Sequence, residues 1–319
     1  MNKLNIRALQ ARGAALAEAN RAHTMPVVLL YCGVLALLTL GSSGLNLYLS
    51  DQIGTTGGLG GIGVRSLLET VQEILSYINI FFSPYWAAGF LAAMLKMVRG
   101  ESPKCGDLTA GFRRLFQVLG FMAFEYLVIF ALMMASAYPA ALIFSFTPLG
   151  ADFAELIAPS VAASGAVDLA AVPIEALTEA MVPMLLLTMV IFLPLFAFVF
   201  YGYRMAMYLM MDHNLGGLQA HFLSARLMKG RKWQLCKLDL SFWWYYALLA
   251  LASAVGYLDV IVGLMGISLP IDPLVLFFGT LVLYCAAVTA LSLWKKCDVE
   301  AAYVLAFEEI ANPEPAEVE

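Results

Sequence analysis

Charge is what this chain has least of. Only 13% of its 319 residues are Asp, Glu, Lys or Arg, where ordinary soluble domains carry roughly a quarter. Histidine occurs 3 times and cysteine 5 times, at spacings that match no zinc or redox motif. No nucleotide-binding run is present either. These shortages exclude a disordered chain, a disulfide-built secreted module and a purely soluble enzyme. Apolar surface is what abounds: 62% of the residues are hydrophobic, and the mean hydropathy is +0.83. Such a surplus faces lipid. The expected fold class is all-α, a polytopic membrane helix bundle.

A helix needs roughly 20 predominantly apolar residues to cross the hydrocarbon core. Six stretches qualify, at about 26–49, 77–98, 115–146, 183–211, 241–265 and 274–294. Basic residues set the orientation, because Lys and Arg in short loops stay cytoplasmic. With six spans, the N-terminal segment 1–25, the loops after spans two and four, and the C-terminus share one side. That side holds 17 of the 18 basic residues, leaving Arg65 alone on the other. The opposite loop, 147–182, carries Asp152, Glu155, Asp168, Glu175 and Glu179 and no basic residue. Both termini are therefore expected in the cytoplasm, in a six-span domain over 26–296 of the cell membrane. An acidic tail, 297–319, follows and is expected to be partly disordered, above all in EEIANPEPAEVE. The retained N-terminal span is too long for a signal peptide, and the five cysteines are expected as free thiols.

Several motifs have an ordinary explanation. G-x-G-x-x-G occurs at Gly58, Gly60 and Gly63, but a dinucleotide site needs a strand before it and a helix after it in a βαβ unit. After it, Leu68, Val71, Leu75 and Ile78 recur at helical spacing, as in a helix lying on the outer surface. Glu175 and Glu179 form an i, i+4 carboxylate pair with no His or third ligand nearby, which reads as a solvated face. Asp212 and His213 lack a nucleophile as third member. The 16 methionines fill packing gaps more readily than they bind copper. Basic segments precede each odd-numbered span, which fits either three repeated hairpins or the positive-inside rule alone.

The cytoplasmic run LGGLQAHFLSARLMKGRKWQLCKLDLSF is richer. Leu218, Phe222, Ala225 and Met228 recur every three or four residues, and Gly230 is placed to end that helix. Arg226, Lys229, Arg231, Lys232 and Lys237 are the candidate contacts to an anionic inner leaflet, each worth about 1 kcal/mol. A lipid partner is expected, with a membrane or cytoplasmic protein as a second candidate and nucleic acid not expected. Asp239 and Ser241 can cap the next helix, and residues 242–246, FWWYY, form an interfacial aromatic belt.

Across Tyr203–Trp244 the chain resembles an uncharacterised bacterial membrane family catalogued as domain of unknown function 975. The matching positions are Asp212, Ser224, Leu227, Met228, Gly230, Lys232, Leu238, Leu240, Ser241, Phe242 and Trp244. A weaker match spans Pro84 to Phe112, through Arg99-Gly100-Glu101, Asp107-Leu108 and Gly111-Phe112. The family pattern ends Trp–x–x–Pro–Tyr, whereas here Trp294 is followed by KKCDVEAAY. The resemblance implies several membrane helices and no known activity.

Glu125 is the charge that needs a reason. It lies about 15 Å into span three at about 1.5 Å per residue, where an acidic group costs about 2.5–3.5 kcal/mol. Arg204, near the inner end of span four, is its candidate partner. Pro84 and Pro194 either kink or break their spans; Gly33, Gly41 and Gly44 favour close helix contact. Two functions follow: a non-enzymatic envelope scaffold or export accessory, preferred here, or a small-solute permease-like subunit with Glu125 in its path. No cofactor, metal or catalytic residue is expected.

Overall fold

The computed structural model of the chain describes residues 4–55, 62–164, 174–258 and 273–311. Among these there is helix and no strand. Helices α1 (Ile6–Ala19), α2 (Arg21–Thr55) and α3 (Ile62–Val98) come first, then a 3-10 turn (Cys105–Thr109) and α4 (Ala110–Arg113). Next are α5 (Leu115–Ser145), α6 (Pro148–Ser164), α7 (Ile174–Tyr203), α8 (Ala206–His213), α9 (Gly217–Leu227), α10 (Lys232–Ser241) and α11 (Trp243–Val255). Last are α12 (Pro273–Leu291), a π-turn (Ser292–Lys296) and α13 (Cys297–Ala311).

Among the described residues five helical stretches are long and apolar enough to cross a membrane: Arg21–Leu45, Ile80–Val98, Leu115–Ser145, Met181–His213 and Val275–Ala311. A sixth counts if α10 and α11, bent by 63°, form one span. The chain reads as membrane-spanning, close to the six stretches drawn from hydropathy. The expected fifth span continues beyond Leu258, and 259–272 lie outside the described residues, as do Gly58, Gly60 and Asp168. Gly63 falls in the first turn of α3, and Glu175 and Glu179 fall in α7.

The long helices α2, α3 and α5 each enter the core by one end. The buried cluster joins Leu9, the start of α2 (Val27, Val28), the end of α3 (Phe90–Met97), the start of α5 (Val118–Met122) and most of α8 (Ala206–Met211). The same end carries nearly all the basic residues, because the loops that hold them join the elements packed there. Of the most apolar stretch of Ile80–Val98, 56% is buried inside the protein, against 6% for Met181–His213. Phe116, Leu127, Phe130, Leu186 and Val190 point outward, as side chains meeting lipid do. Proline does not break α3 or α7, which run through Pro84 and Pro194.

The structure corrects the first part of the expected acidic tail, while 312–319 lie outside the described residues. Residues 297–311 are helical, and α13 is among the most buried elements: Tyr303 is 1% exposed and Ile310 2%. Val299, Tyr303, Phe307 and Ile310 repeat at helical spacing, and burying each such side chain from water contributes about 1.5–3 kcal/mol. Helix α13 packs against α1, which the sequence placed in a loose basic segment. A Cβ on Gly13 would stand 2.9 Å from the backbone nitrogen of Ala302, so the two backbones touch at a glycine. Gly89 of α3 is closer still, its absent Cβ 1.9 Å from the Leu108 carbonyl.

Polar bonds close this end. Arg99 binds Asp212 with both guanidinium nitrogens, at 2.5 and 2.8 Å, and Glu308 of α13 at 2.7 Å. Those carboxylates hold the Arg99 guanidinium protonated well above its usual range, Asp212 foremost. Arg114 donates to the Met210 and Met211 carbonyls at 2.7 Å, satisfying the end of α8. Lys96 lies 2.6 Å from Asp107.

Candidate functional site

The helix does break, ten residues past Pro194. Between α7 and α8 the ladder is interrupted at Arg204 and Met205, and Ser224 of α9 repairs it. Its hydroxyl accepts from the Met205 N–H at 3.2 Å and donates to the Gly202 carbonyl at 3.0 Å. Ser224 is buried, so these bonds replace ones that water cannot supply. Helix α9 gets close enough through Gly217, whose Cβ would stand 2.2 Å from the Phe121 nitrogen.

The break turns Arg204 into the bundle. Its guanidinium carbon lies 4.7 Å from the centre of the Tyr303 ring and 5.3 Å from that of Phe200. An Arg204 nitrogen is 3.9 Å from Asp239 of α10. Asp239 accepts a short hydrogen bond from the Tyr303 hydroxyl, which lies 2.9 Å from that of Tyr246. The Arg204 Nε is buried without a partner.

A second cation sits at the end of the π-turn, an irregularity often found at functional sites. Lys296 lies 5.0 Å from the Tyr31 ring centre, 5.1 Å from that of Phe90 and 4.0 Å from Glu300. Tyr208 donates to the other Glu300 oxygen at 3.4 Å. The Trp86 indole N–H donates to the Tyr31 carbonyl at 3.1 Å and so pins α2 to α3 beside the lysine.

Arg204, Lys296 and Glu300 all line one cavity of about 280 Å³, and Glu125 lines it too. Phe121, Phe196, Phe200 and Tyr203 supply much of its apolar wall. A second cavity of about 510 Å³ shares Tyr31 and Lys296 with the first. The structure thus brings Glu125 and Arg204 to one space but does not pair them: no ion pair within 4 Å joins them, and Asp239 takes the role assigned to Glu125. Among the described residues Glu125 makes no hydrogen bond or ion pair.

The five basic residues assigned to lipid divide. Arg226, Lys229 and Lys237 are exposed. Arg231 donates to the Ile310 carbonyl and Lys232 to the Phe198 carbonyl, both at 3.0 Å, so these two fasten α10 to its neighbours. His221 is 1% exposed, and its Nδ1–H donates to the Gly217 carbonyl at 2.8 Å. Burial holds this imidazole below its usual range, although that bond opposes the shift. Tyr303, Lys296 and Glu300 were missed by sequence reasoning, and Asp239 was read as a helix cap, whereas it lies within α10 beside Arg204. The spacing of Val299, Tyr303 and Phe307 could have revealed the helix that presents Tyr303 and Glu300.

Residues 34–269 match the family described as Protein of unknown function (DUF975). The chain belongs to this family. No curated protein and no solved structure matches it. The DUF975 positions noted in the sequence prove structural: Ser224 bridges the break, Asp212 holds Arg99, and Gly230, at φ +79°, follows the end of α9. Helices α1 and α13 lie outside the matched residues. So do Lys296, Glu300 and Tyr303, which means the cavity combines family-matched walls with side chains from beyond the match.

Proposed function

We propose that this DUF975 chain is a permease-like membrane protein whose ligand site is the cavity around Glu125. The observation that carries this reading is an unpartnered carboxyl, Glu125, lining a cavity between spanning helices that two cations with partners of their own also line. Intramembrane ionisable groups that no partner explains mark solute or ion paths by default. Discrete cavities lined by apolar walls and a few polar groups are the usual form of small-ligand sites. A packed scaffold, the reading preferred from the sequence because its spans carry one acidic group, gives such a cavity no use.

The role is binding and passage, with no bond made or broken. Asp212 is engaged by Arg99, and His221 is held by a carbonyl among aromatic rings, so neither is poised as a base beside a nucleophile. The packed, basic end faces the cytoplasm with both termini, following the positive-inside rule. Arg226, Lys229 and Lys237 meet the anionic leaflet there.

Thiol labelling tests the reading. Glu125→Cys and Val128→Cys, each in an otherwise cysteine-free chain in intact membranes, are treated with a membrane-impermeant reagent from either side. Reaction at both supports an aqueous path. Protection of both, with outer-loop cysteines reacting normally, returns the protein to the scaffold class. A reporter fused after Asp168 that is active in the cytoplasm would overturn the orientation.

A further inference from the structure

We propose that the cavity selects a hydrophobic organic cation, an alkyl- or arylammonium, held by Glu125 and by the surrounding aromatic faces. The inference rests on the permease-like reading and adds the substrate class to it. Charge accounting comes first. Arg204 already has Asp239 at 3.9 Å and two aromatic rings, and Lys296 has Glu300 at 4.0 Å and two more. The charged group in the lining with no hydrogen bond or ion pair is Glu125. The open donor on the cations is the Arg204 Nε, on a guanidinium whose charge Asp239 already meets, and an anion bound there would share the space with Glu125. A cation meets a free carboxylate and displaces nothing.

The walls agree. Phe121, Phe196, Phe200 and Tyr203 line the same space, and ring faces attract ammonium groups most strongly where water is excluded. Such rings also take the apolar part of the ligand, which a strongly hydrated metal ion lacks. At about 280 Å³ the space suits one compact molecule.

The probe is phenyltrimethylammonium, with tert-butylbenzene as its uncharged isostere and benzoate as the anion. Binding is measured by equilibrium dialysis to the purified full chain in detergent. The expected result is that wild type binds phenyltrimethylammonium at least tenfold more tightly than either other compound. Glu125→Gln should then lose at least tenfold of that affinity, while Glu125→Asp retains most of it. Equal binding of the cation and its isostere overturns the inference, as does preference for benzoate or undiminished binding by a monodisperse Glu125→Gln. The wild-type comparison of cation with isostere needs no variant to fold. Absence of binding also overturns it, and Val128→Cys labelling then decides separately whether the permease-like reading survives.

Discussion

The two ends of the bundle are built on different rules. At the packed end backbones touch through Gly13, Gly89 and Gly217, helix termini are closed by Arg99 and Arg114, and side chains from the first helix to the last meet in one core. Away from it, α5 and α7 pack on each other but turn Leu127, Phe130, Leu186 and Val190 outward. Lipid is as apolar as those side chains, so burying them against one another gains little. Specificity must come from the packed end, and the cavity lies at the join between the two.

The comparison can be broken most severely at Arg204. Arg204→Glu sets a second carboxylate beside Asp239 and should cost about 3 kcal/mol or more; this pair is only partly buried, so the roughly 3–5 kcal/mol of removing one partner of a fully buried pair is the upper bound. Adding Asp239→Arg should recover part of the loss, whereas adding Glu125→Arg should not; thermal unfolding in detergent reads both. Recovery with Glu125→Arg instead would restore the pairing first drawn from the sequence. Gly89→Leu comes next. Its side chain would enter the Leu108 carbonyl, and a loss of about 3 kcal/mol is expected, the upper end for overpacking, seen as lower Tm and aggregation on size exclusion. Ser224→Ala should cost about 1–3 kcal/mol, because it strands the Met205 N–H and the Gly202 carbonyl in a buried break.

A pH effect is smaller and has a definite sign. His221 is buried with its pKa depressed, so the unfolded chain takes up a proton that the folded one refuses. Stability is therefore complete above the ordinary value near 6.5 and falls as pH drops below it. His221→Phe should flatten Tm between about pH 7 and 5. Asp107 acts in the same direction at lower pH: burial raises its pKa, but Lys96 and the Lys104 N–H outweigh that and bring it below the usual carboxylate range. The smallest effect belongs to the open end. Gly41 has nothing within 4 Å of its missing Cβ, and Gly41→Ala should change stability by less than about 0.5 kcal/mol.

Much of the frame was legible from residues alone. The start of α5 at Leu115 and its end one residue short of Phe146 follow from a long apolar run, with Glu125 its one charge, bounded by Arg113, Arg114 and Pro148. The gathering of basic residues at one end followed from counting them. What hydropathy could not show is which helix face meets which. Leu218 and Phe222, in the apolar stripe read as lying at the inner leaflet, are exposed, and the small and polar face of Gly217, Ala220, His221 and Ser224 packs inward. A close backbone contact selects small residues, which a search for apolar stripes passes over. The π-turn before Lys296 leaves no mark in composition, so the helix beyond it was read as tail. Glu125 was marked as the charge to watch, and it lines the cavity. Its partner was misassigned because distance along a span says nothing about rotation around it.

One paired experiment tests the central claim that a wet cavity sits inside an otherwise lipid-facing bundle. Leu127 and Val128 are neighbours on α5: Leu127 is 63% exposed and does not line the cavity, whereas Val128 does. Cysteines placed at each, in intact membranes with a polar thiol reagent, should give rapid labelling at 128 and little at 127. Equal protection of both, or faster reaction at 127, would contradict the account.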